Sequence, residues 1–152
     1  MRVVIPFALT ICFATSLMAD DSAAPETVAI PTYAEAQTAI EAGDYPTAQR
    51  ILAQLTVTEP QNADVWNLFG YSARNMGLMG PALEAYDLAL SLAPAHLGAL
   101  EYQGELFVTL KRMDEAKANL AKLKELCGDC EQALDLETAI AAALVETAQP
   151  QE

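Results

Sequence analysis

Small, large and helix-ending residues recur along the chain at a fixed spacing of about 34 residues, a period typical of helical repeats. A small alanine is followed four residues later by a large apolar residue, then by another apolar residue after three more, and by a helix-ending residue after five. Three copies share this pattern: Ala48, Leu52, Leu55 and Pro60; Ala82, Tyr86, Ala89 and Pro94; and Ala116, Leu120, Leu123 and Gly128. The spacing indicates amphipathic helices, and the fixed period predicts a repeat protein.

The middle copy carries the clearest helix signals. Pro81 suits the first turn of a helix, where its missing N–H costs no hydrogen bond, and Pro94 ends that helix. Between them the apolar residues fall at helical spacing: Ala82, Leu83, Tyr86, Ala89 and Leu90. Gly70 and Ala82 are small enough to let two helix backbones approach where they cross.

With Trp66 and Phe69 placed to fill the space around that crossing, the pattern resembles the tetratricopeptide repeat (TPR). This repeat is a helix-turn-helix unit of about 34 residues. The resemblance covers residues 29–130. It implies an all-α fold, a right-handed α-solenoid of three helix-turn-helix repeats at about 29–62, 63–96 and 97–130. In this family the first helices of successive units line a concave groove that receives a peptide or a partner helix.

Two departures from the repeat change the local prediction. In the first unit Thr32 and Glu35 replace the two aromatic residues, and their spacing fits a capping box that starts a shortened helix at about 33–42. In the third unit Lys111 occupies a turn position that is glycine in both earlier units. If the backbone is left-handed there, the lysine costs on the order of 1 kcal/mol.

After the third unit, an amphipathic segment predicts a C-terminal capping helix at about 130–148. Its apolar stripe is formed by Ala133, Leu136, Ile140 and Leu144. A solenoid needs a terminal element with a polar outer face to close its last apolar surface. A docking face for a partner is the alternative use of this helix. The TPR domain as a whole is predicted at 32–148.

The first residues have the layout of a secretory signal peptide. One cation, Arg2, precedes an uncharged run at 3–18, and two aspartates follow shortly after. We predict a signal peptide at 1–19 and a linker at 20–31. A retained membrane anchor is the alternative, although the run is shorter than the roughly 20 residues that a span requires. The predicted location is therefore the bacterial periplasm or the exterior.

Composition and charge narrow the class of partner. The chain is 53% apolar and 19% charged, which is typical of a folded domain. Without the signal peptide, seven Lys and Arg face 21 Asp and Glu, a net charge of −14. Such a surface repels phosphate backbones and anionic lipids, so we predict neither a nucleic-acid partner nor a membrane partner. The charge also opposes self-association, and a monomer is predicted.

Cys127 and Cys130 flank the tight turn predicted between the third unit and the capping helix. Haem attachment needs a histidine directly after the second cysteine, and Glu131 stands there. Structural zinc needs four nitrogen or sulfur ligands. His96 lies about a repeat away and is predicted to be an exposed loop residue. No metal site is predicted within one chain.

Three interpretations of the cysteine pair follow. Across a turn, an offset of three residues can bring the Cα atoms to about 5–6 Å, within the range of a disulfide. An even number of cysteines in an oxidising compartment also favours a disulfide. A structural disulfide is therefore preferred. A thiol-disulfide oxidoreductase or redox sensor is the alternative, but Cys127 falls at a helix C-terminus rather than at the activating N-terminus. A metal carrier is the third.

The family resemblance also places a set of exposed groove positions by register. They are Tyr33, Gln37, Asp64, Asn67, Tyr71, Arg74, Glu101, Glu105 and Val108. TPR domains that clasp a C-terminal carboxylate use lysine, asparagine and arginine at such positions, and only Asn67 and Arg74 are compatible with that mode. An acidic groove with two tyrosines suits a segment that carries lysine or arginine beside an apolar or aromatic anchor. Ordinary solvated helix faces are the alternative.

The sequence shows no recognisable set of nucleophile, base and oxyanion donors, and no glycine-rich phosphate loop. We therefore predict a non-catalytic protein–protein interaction module of the bacterial cell envelope, an adaptor or assembly factor. It is predicted to bind a protein or peptide and to use no cofactor.

Overall fold

The computed structural model describes residues 31–148, which form seven α-helices and contain no β-strand. The helices are α1 (Tyr33–Glu41), α2 (Tyr45–Thr58), α3 (Ala63–Asn75), α4 (Met79–Leu92), α5 (Leu97–Thr109), α6 (Met113–Cys127) and α7 (Glu131–Ala148). The predicted all-α class is confirmed. The predicted signal peptide at 1–19, and all of the predicted linker except its last residue, lie outside the described residues.

Consecutive helices pair as hairpins, and the hairpins stack on one another. Within the units α1 packs on α2, α3 on α4, and α5 on α6, while α2 packs on α3 and α4 on α5 between units. The first helices also touch, α1 with α3 and α3 with α5. Helix α7 packs on both α5 and α6. It therefore takes the place that the first helix of a fourth unit would take.

Small residues lie at the crossing of the two helices in each unit, as the pattern predicts. Ala48, Ala82 and Ala116 are all fully buried. At Gly70, an added Cβ atom would lie 2.7 Å from Cε1 of Tyr86, well inside van der Waals contact. The helix pairs therefore approach closely only because these side chains are small.

The predicted capping box at the start of α1 is confirmed. The Glu35 N–H donates to the Thr32 hydroxyl over 3.3 Å, and the Thr32 N–H donates to the Glu35 carboxylate over 2.6 Å. These bonds satisfy two amides that have no partner within the helix. The helix ends at Glu41, one residue earlier than predicted.

The predicted apolar stripe of α7 is correct at three of its four positions. Ala133, Leu136 and Ile140 are buried, whereas Leu144 is 46% exposed, so its placement on the buried stripe was wrong. The reason is helix length. In the repeat register Leu144 corresponds to residue 110, one position past the end of α5, so the last turns of α7 extend beyond the helix they pack on.

Lys111 is left-handed, as the repeat pattern implied. Its φ of 59° matches the 72° of Gly43 and the 78° of Gly77 at the same turn of the earlier units. A side chain in this region costs roughly 1 kcal/mol, which glycine avoids.

Lys111→Gly should therefore raise the free energy of unfolding by about 0.5 to 1 kcal/mol, measured by urea denaturation. Lys117→Gly, at an exposed position inside α6, is the matched control and should lower it by up to about 1 kcal/mol, because glycine is unfavourable in a helix. Equal losses in both variants would contradict the strained turn.

Candidate binding groove

The predicted groove residues lie on α1, α3 and α5, the three first helices, which stand side by side. One groove position recurs once in every unit and is occupied by Tyr33, Asn67, Glu101 and, on α7, Asp135. Helix α7 thus adds a fourth member to the row. The sequence prediction missed Asp135, although continuing the period beyond Glu101 would have identified it.

Three tyrosines form a continuous aromatic cluster, which we call the tyrosine stack: Tyr45, Tyr71 and Tyr102. The ring centroids of Tyr71 and Tyr102 are 4.8 Å apart, and those of Tyr45 and Tyr71 are 6.2 Å apart in an edge-on arrangement. Of these, the sequence prediction named only Tyr71. Tyr102 does not share the repeat register of the predicted groove positions, so the repeat gave no signal for it.

Arg74 is held within this cluster. Its guanidinium carbon lies 5.9 Å from the Tyr71 centroid and 6.0 Å from that of Tyr102, within cation–π range. Its Nη1 atom lies 2.6 Å from the Glu105 carboxylate, and the two side chains are 20% and 25% exposed. The cation among the predicted groove residues is therefore already neutralised by a neighbour on α5.

Glu101 is the most unusual charge of the groove. It was predicted as an exposed groove residue, and this was wrong, because only 8% of its surface is exposed. Burial, and then the carboxylates of Glu105, Asp135 and Glu131, raise the pKa of Glu101 to about 7, while Arg74 opposes the shift. The pKa of Tyr102 is raised to about 12, first by burial and then by the Glu101 carboxylate.

Asn67 is also buried, with 6% of its surface exposed, so its predicted exposure was likewise wrong. Its Nδ2 atom lies 3.3 Å from where a Cβ atom of Gly98 would stand, so the amide fills the space that this glycine leaves on α5. Its Oδ1 atom is inaccessible and accepts no hydrogen bond from the described part of the chain. A buried amide oxygen without a donor is costly unless a ligand or water supplies one.

His96 joins the second and third units. The Ala99 N–H donates to Nδ1 over 3.1 Å, which caps the start of α5, and Nε2 lies 3.0 Å from the Asp64 carboxylate. Because Nδ1 accepts, Nε2 carries the hydrogen and donates to Asp64. His96 lies in the loop before α5, as predicted, but its predicted exposure was wrong, since only 15% of the side chain is exposed. The fold places the residue directly at a helix start.

Three predicted groove positions remain, and they differ in burial. Tyr33 is half-buried, and burial followed by the Asp64 carboxylate raises its pKa. Gln37 is exposed. Val108 packs against the core between the third unit and α7. The structure therefore brings together Tyr71, Arg74, Glu101 and Glu105.

The two cysteines lie outside the groove, at the turn between α6 and α7. Their Cα atoms are 5.6 Å apart and their sulfur atoms are at bonding distance. Cys127 is the last residue of α6, and it does not stand at a helix N-terminus, where redox-active cysteines are activated. The structural role of the pair stays a prediction.

Residues 31–148 contain neither a cluster of metal-binding side chains nor a membrane-spanning helix. Within this range, no three His, Cys, Asp or Glu side chains are arranged to hold a metal ion. Among the same helices, none is both long and apolar enough to cross a membrane.

Comparisons with known proteins agree with this fold. A protein-family model of the tetratricopeptide repeat matches residues 63–96. A comparison with curated proteins finds no match. Residues 63–96 thus match a tetratricopeptide repeat, and the described residues fold as an all-α solenoid of the TPR type.

Solved TPR structures share the fold at low sequence identity. The first TPR domain of human RPAP3 is 19% identical and covers 76% of this chain and 93% of that one, with a TM-score of 0.68. The Yersinia enterocolitica type III secretion translocator chaperone SycD is 16% identical and covers 77% and 83%, with a TM-score of 0.67. The TPR2B domain of yeast Sti1 is 13% identical and covers 74% and 93%, with a TM-score of 0.68.

Structures with this fold include complexes with peptides or partners. The first TPR of Spaghetti (RPAP3) binds the HSP90 peptide SRMEEVD, SycD binds a peptide of the translocator YopD, and the Sti1 domain forms a complex with pHsp70. At such identities the likeness concerns the fold alone.

Proposed function

We propose that this protein is a non-catalytic interaction module that holds a peptide or partner helix against the face formed by α1, α3 and α5. The peptide complexes of proteins with the same fold support this use of the face. The signal-like residues at 1–19 support a place in the bacterial cell envelope, in the periplasm or secreted, as an adaptor or assembly factor. The proposed disulfide between Cys127 and Cys130 would hold α7 on the third unit.

The charge of the groove determines which class of partner we propose. Arg74 is already paired with Glu105, so it cannot also clasp a partner's carboxylate without losing that ion pair. Glu101 remains without a positive partner in the described residues. The groove therefore favours a segment with lysine or arginine, and it would repel an acidic peptide such as SRMEEVD.

The tyrosine stack supplies the apolar half of the proposed site. Tyr71 and Tyr102 present rigid rings that lose little side-chain entropy on binding, which is why tyrosine is enriched at binding hot spots. An aromatic or apolar side chain of the partner would rest on these rings, beside the carboxylates. The partner is therefore proposed to combine a basic residue with an aromatic or apolar one.

A peptide array tests this proposal. The purified protein, applied to an array of random dodecapeptides, should retain peptides rich in Lys or Arg with an aromatic neighbour. Tyr71→Ala should weaken the best of them by at least about tenfold, measured by fluorescence anisotropy, because one hot-spot aromatic contributes on the order of 2 kcal/mol.

Two variants serve as controls for the array. Tyr71→Phe keeps the ring and should retain most of the affinity. Val57→Ala, at an exposed position on α2, should leave affinity unchanged. Selection of acidic peptides, or equal binding by Tyr71→Ala and Val57→Ala, would exclude the groove as the binding face.

A further inference from the structure

Helix α7 forms a wall of the groove as well as a cap. It packs against α5 through Leu136, which lies against Gly104, the α5 counterpart of Gly70. In the repeat register Asp135 corresponds to Glu101, and Glu131 stands at the start of the same helix. Helix α7 therefore packs directly on α5 and continues the row of groove positions, with a carboxylate at Asp135 where α3 carries the Asn67 amide.

The charge at this junction is unbalanced. The Glu101 side chain makes no hydrogen bond and no ion pair within the described residues, although only 8% of the residue's surface is exposed. The charged groups that act on it are Glu105 on its own helix, Glu131 and Asp135 on α7, and Arg74 on α3. Arg74 is committed to Glu105. A bound cation would relieve both the burial cost and the repulsion.

An independent observation points to a ligand that donates hydrogen bonds. The buried Oδ1 atom of Asn67, at the same register position on α3, has no donor within residues 31–148. The Asn67 amide lies against Gly98, which is one helical turn before Glu101 on α5. An ammonium or guanidinium group carries only donors and can serve a carboxylate and an amide oxygen together.

We propose that Glu101 and Asp135, with Asn67 beside them, form a subsite for one lysine or arginine side chain of the bound segment. This inference rests on the proposed function and names the part of the groove that binds the basic residue of the partner. It also assigns α7 a direct part in binding, in addition to its role as a cap.

The test uses Nα-acetyl-lysine methylamide as the probe, titrated into the purified protein and followed by NMR of the backbone amides. Saturable shifts should centre on Glu101 and Asp135. The norleucine analogue, which lacks the ammonium, should produce none. Glu101→Gln should weaken the probe by about tenfold, as expected for loss of one charge-assisted hydrogen bond. Glu146→Gln, on the same helix as Asp135, should leave affinity unchanged.

The pH dependence gives a second, sharper measurement. With a pKa of about 7, Glu101 is about 90% protonated at pH 6 and about 90% ionised at pH 8, while lysine stays charged throughout. The affinity for the probe should therefore rise about tenfold from pH 6 to pH 8 in the wild type and stay flat in Glu101→Gln.

The outcomes separate this inference from the proposed function. Shifts that centre elsewhere, or equal affinity of wild type and Glu101→Gln, would overturn the subsite. If the peptide array still depends on Tyr71 in that case, the groove function stands without it. If the probe binds at Glu101 but the array shows no dependence on Tyr71, the subsite stands and the proposed groove function falls.

Discussion

Replacing Gly70 with alanine should lower the free energy of unfolding by about 2 kcal/mol, whereas the same replacement at Gly80 should raise it by about 0.5 kcal/mol. The two glycines differ in what a methyl group would meet. At Gly70 the new Cβ would lie 2.7 Å and 2.8 Å from two ring carbons of Tyr86 and 3.1 Å from the Ala82 carbonyl oxygen. At Gly80 nothing lies within 4 Å.

The obstacle at Gly70 cannot move cheaply. Tyr86 is fully buried and packs in the core between the second and third units. The Ala82 carbonyl belongs to the backbone of α4. Relief would therefore require separating two helices at their closest approach, and overpacking of this kind usually costs about 1 to 3 kcal/mol, more than the helix propensity that alanine gains.

Urea denaturation of both single variants measures the effect. A third variant, Gly70→Ala combined with Tyr86→Leu, should lose less than the sum of the two single losses, because the smaller side chain makes room for the methyl group. If Gly70→Ala stabilised the protein, or if the loss in the double variant equalled the sum of the two single losses, the close helix contact would not be the reason that position 70 requires glycine.

The helical part of the fold could be predicted because its signals are local and repeated. The crossing alanines Ala48, Ala82 and Ala116, the capping box at Thr32 and the left-handed Lys111 all follow from the types of residues at fixed offsets. Each is decided within one unit. The error at Leu144 arose because its burial depends on how far α5 extends. The apolar pattern of α7 carries no information about the length of that neighbouring helix.

The groove was predicted less well because its properties depend on two neighbouring units. Register located Glu101 and Asn67 correctly on the helices, but their burial results from the approach of α7 and of Gly98. Arg74 was predicted as a groove residue, and only the structure shows that Glu105, on the first helix of the next unit, neutralises it. Tyr102 was missed because it stands outside the repeat register. Ion pairs between neighbouring units, such as Arg74 with Glu105, do not recur with the 34-residue period, so the repeat pattern does not predict them.

The burial of Glu101 has a consequence for stability, which should depend on pH through this residue. Between about pH 4.5, its ordinary pKa, and about pH 7, its pKa in the fold, the folded protein binds more protons at Glu101 than the unfolded chain does. Raising the pH across that window therefore removes stability. The full shift corresponds to about 3 kcal/mol, and water reaching the carboxylate from the groove reduces this to on the order of 2 kcal/mol.

Glu101→Gln removes the ionisation and keeps the side-chain shape, so the variant should match the wild type at pH 4.5 and exceed its free energy of unfolding by on the order of 2 kcal/mol at pH 8. Urea denaturation at both pH values measures the difference. Glu125→Gln, exposed on α6, changes the net charge equally and should show no such divergence. A variant that gains nothing at pH 8 would mean that Glu101 is fully solvated. The unbalanced charge proposed to receive a partner's lysine or arginine would then be absent.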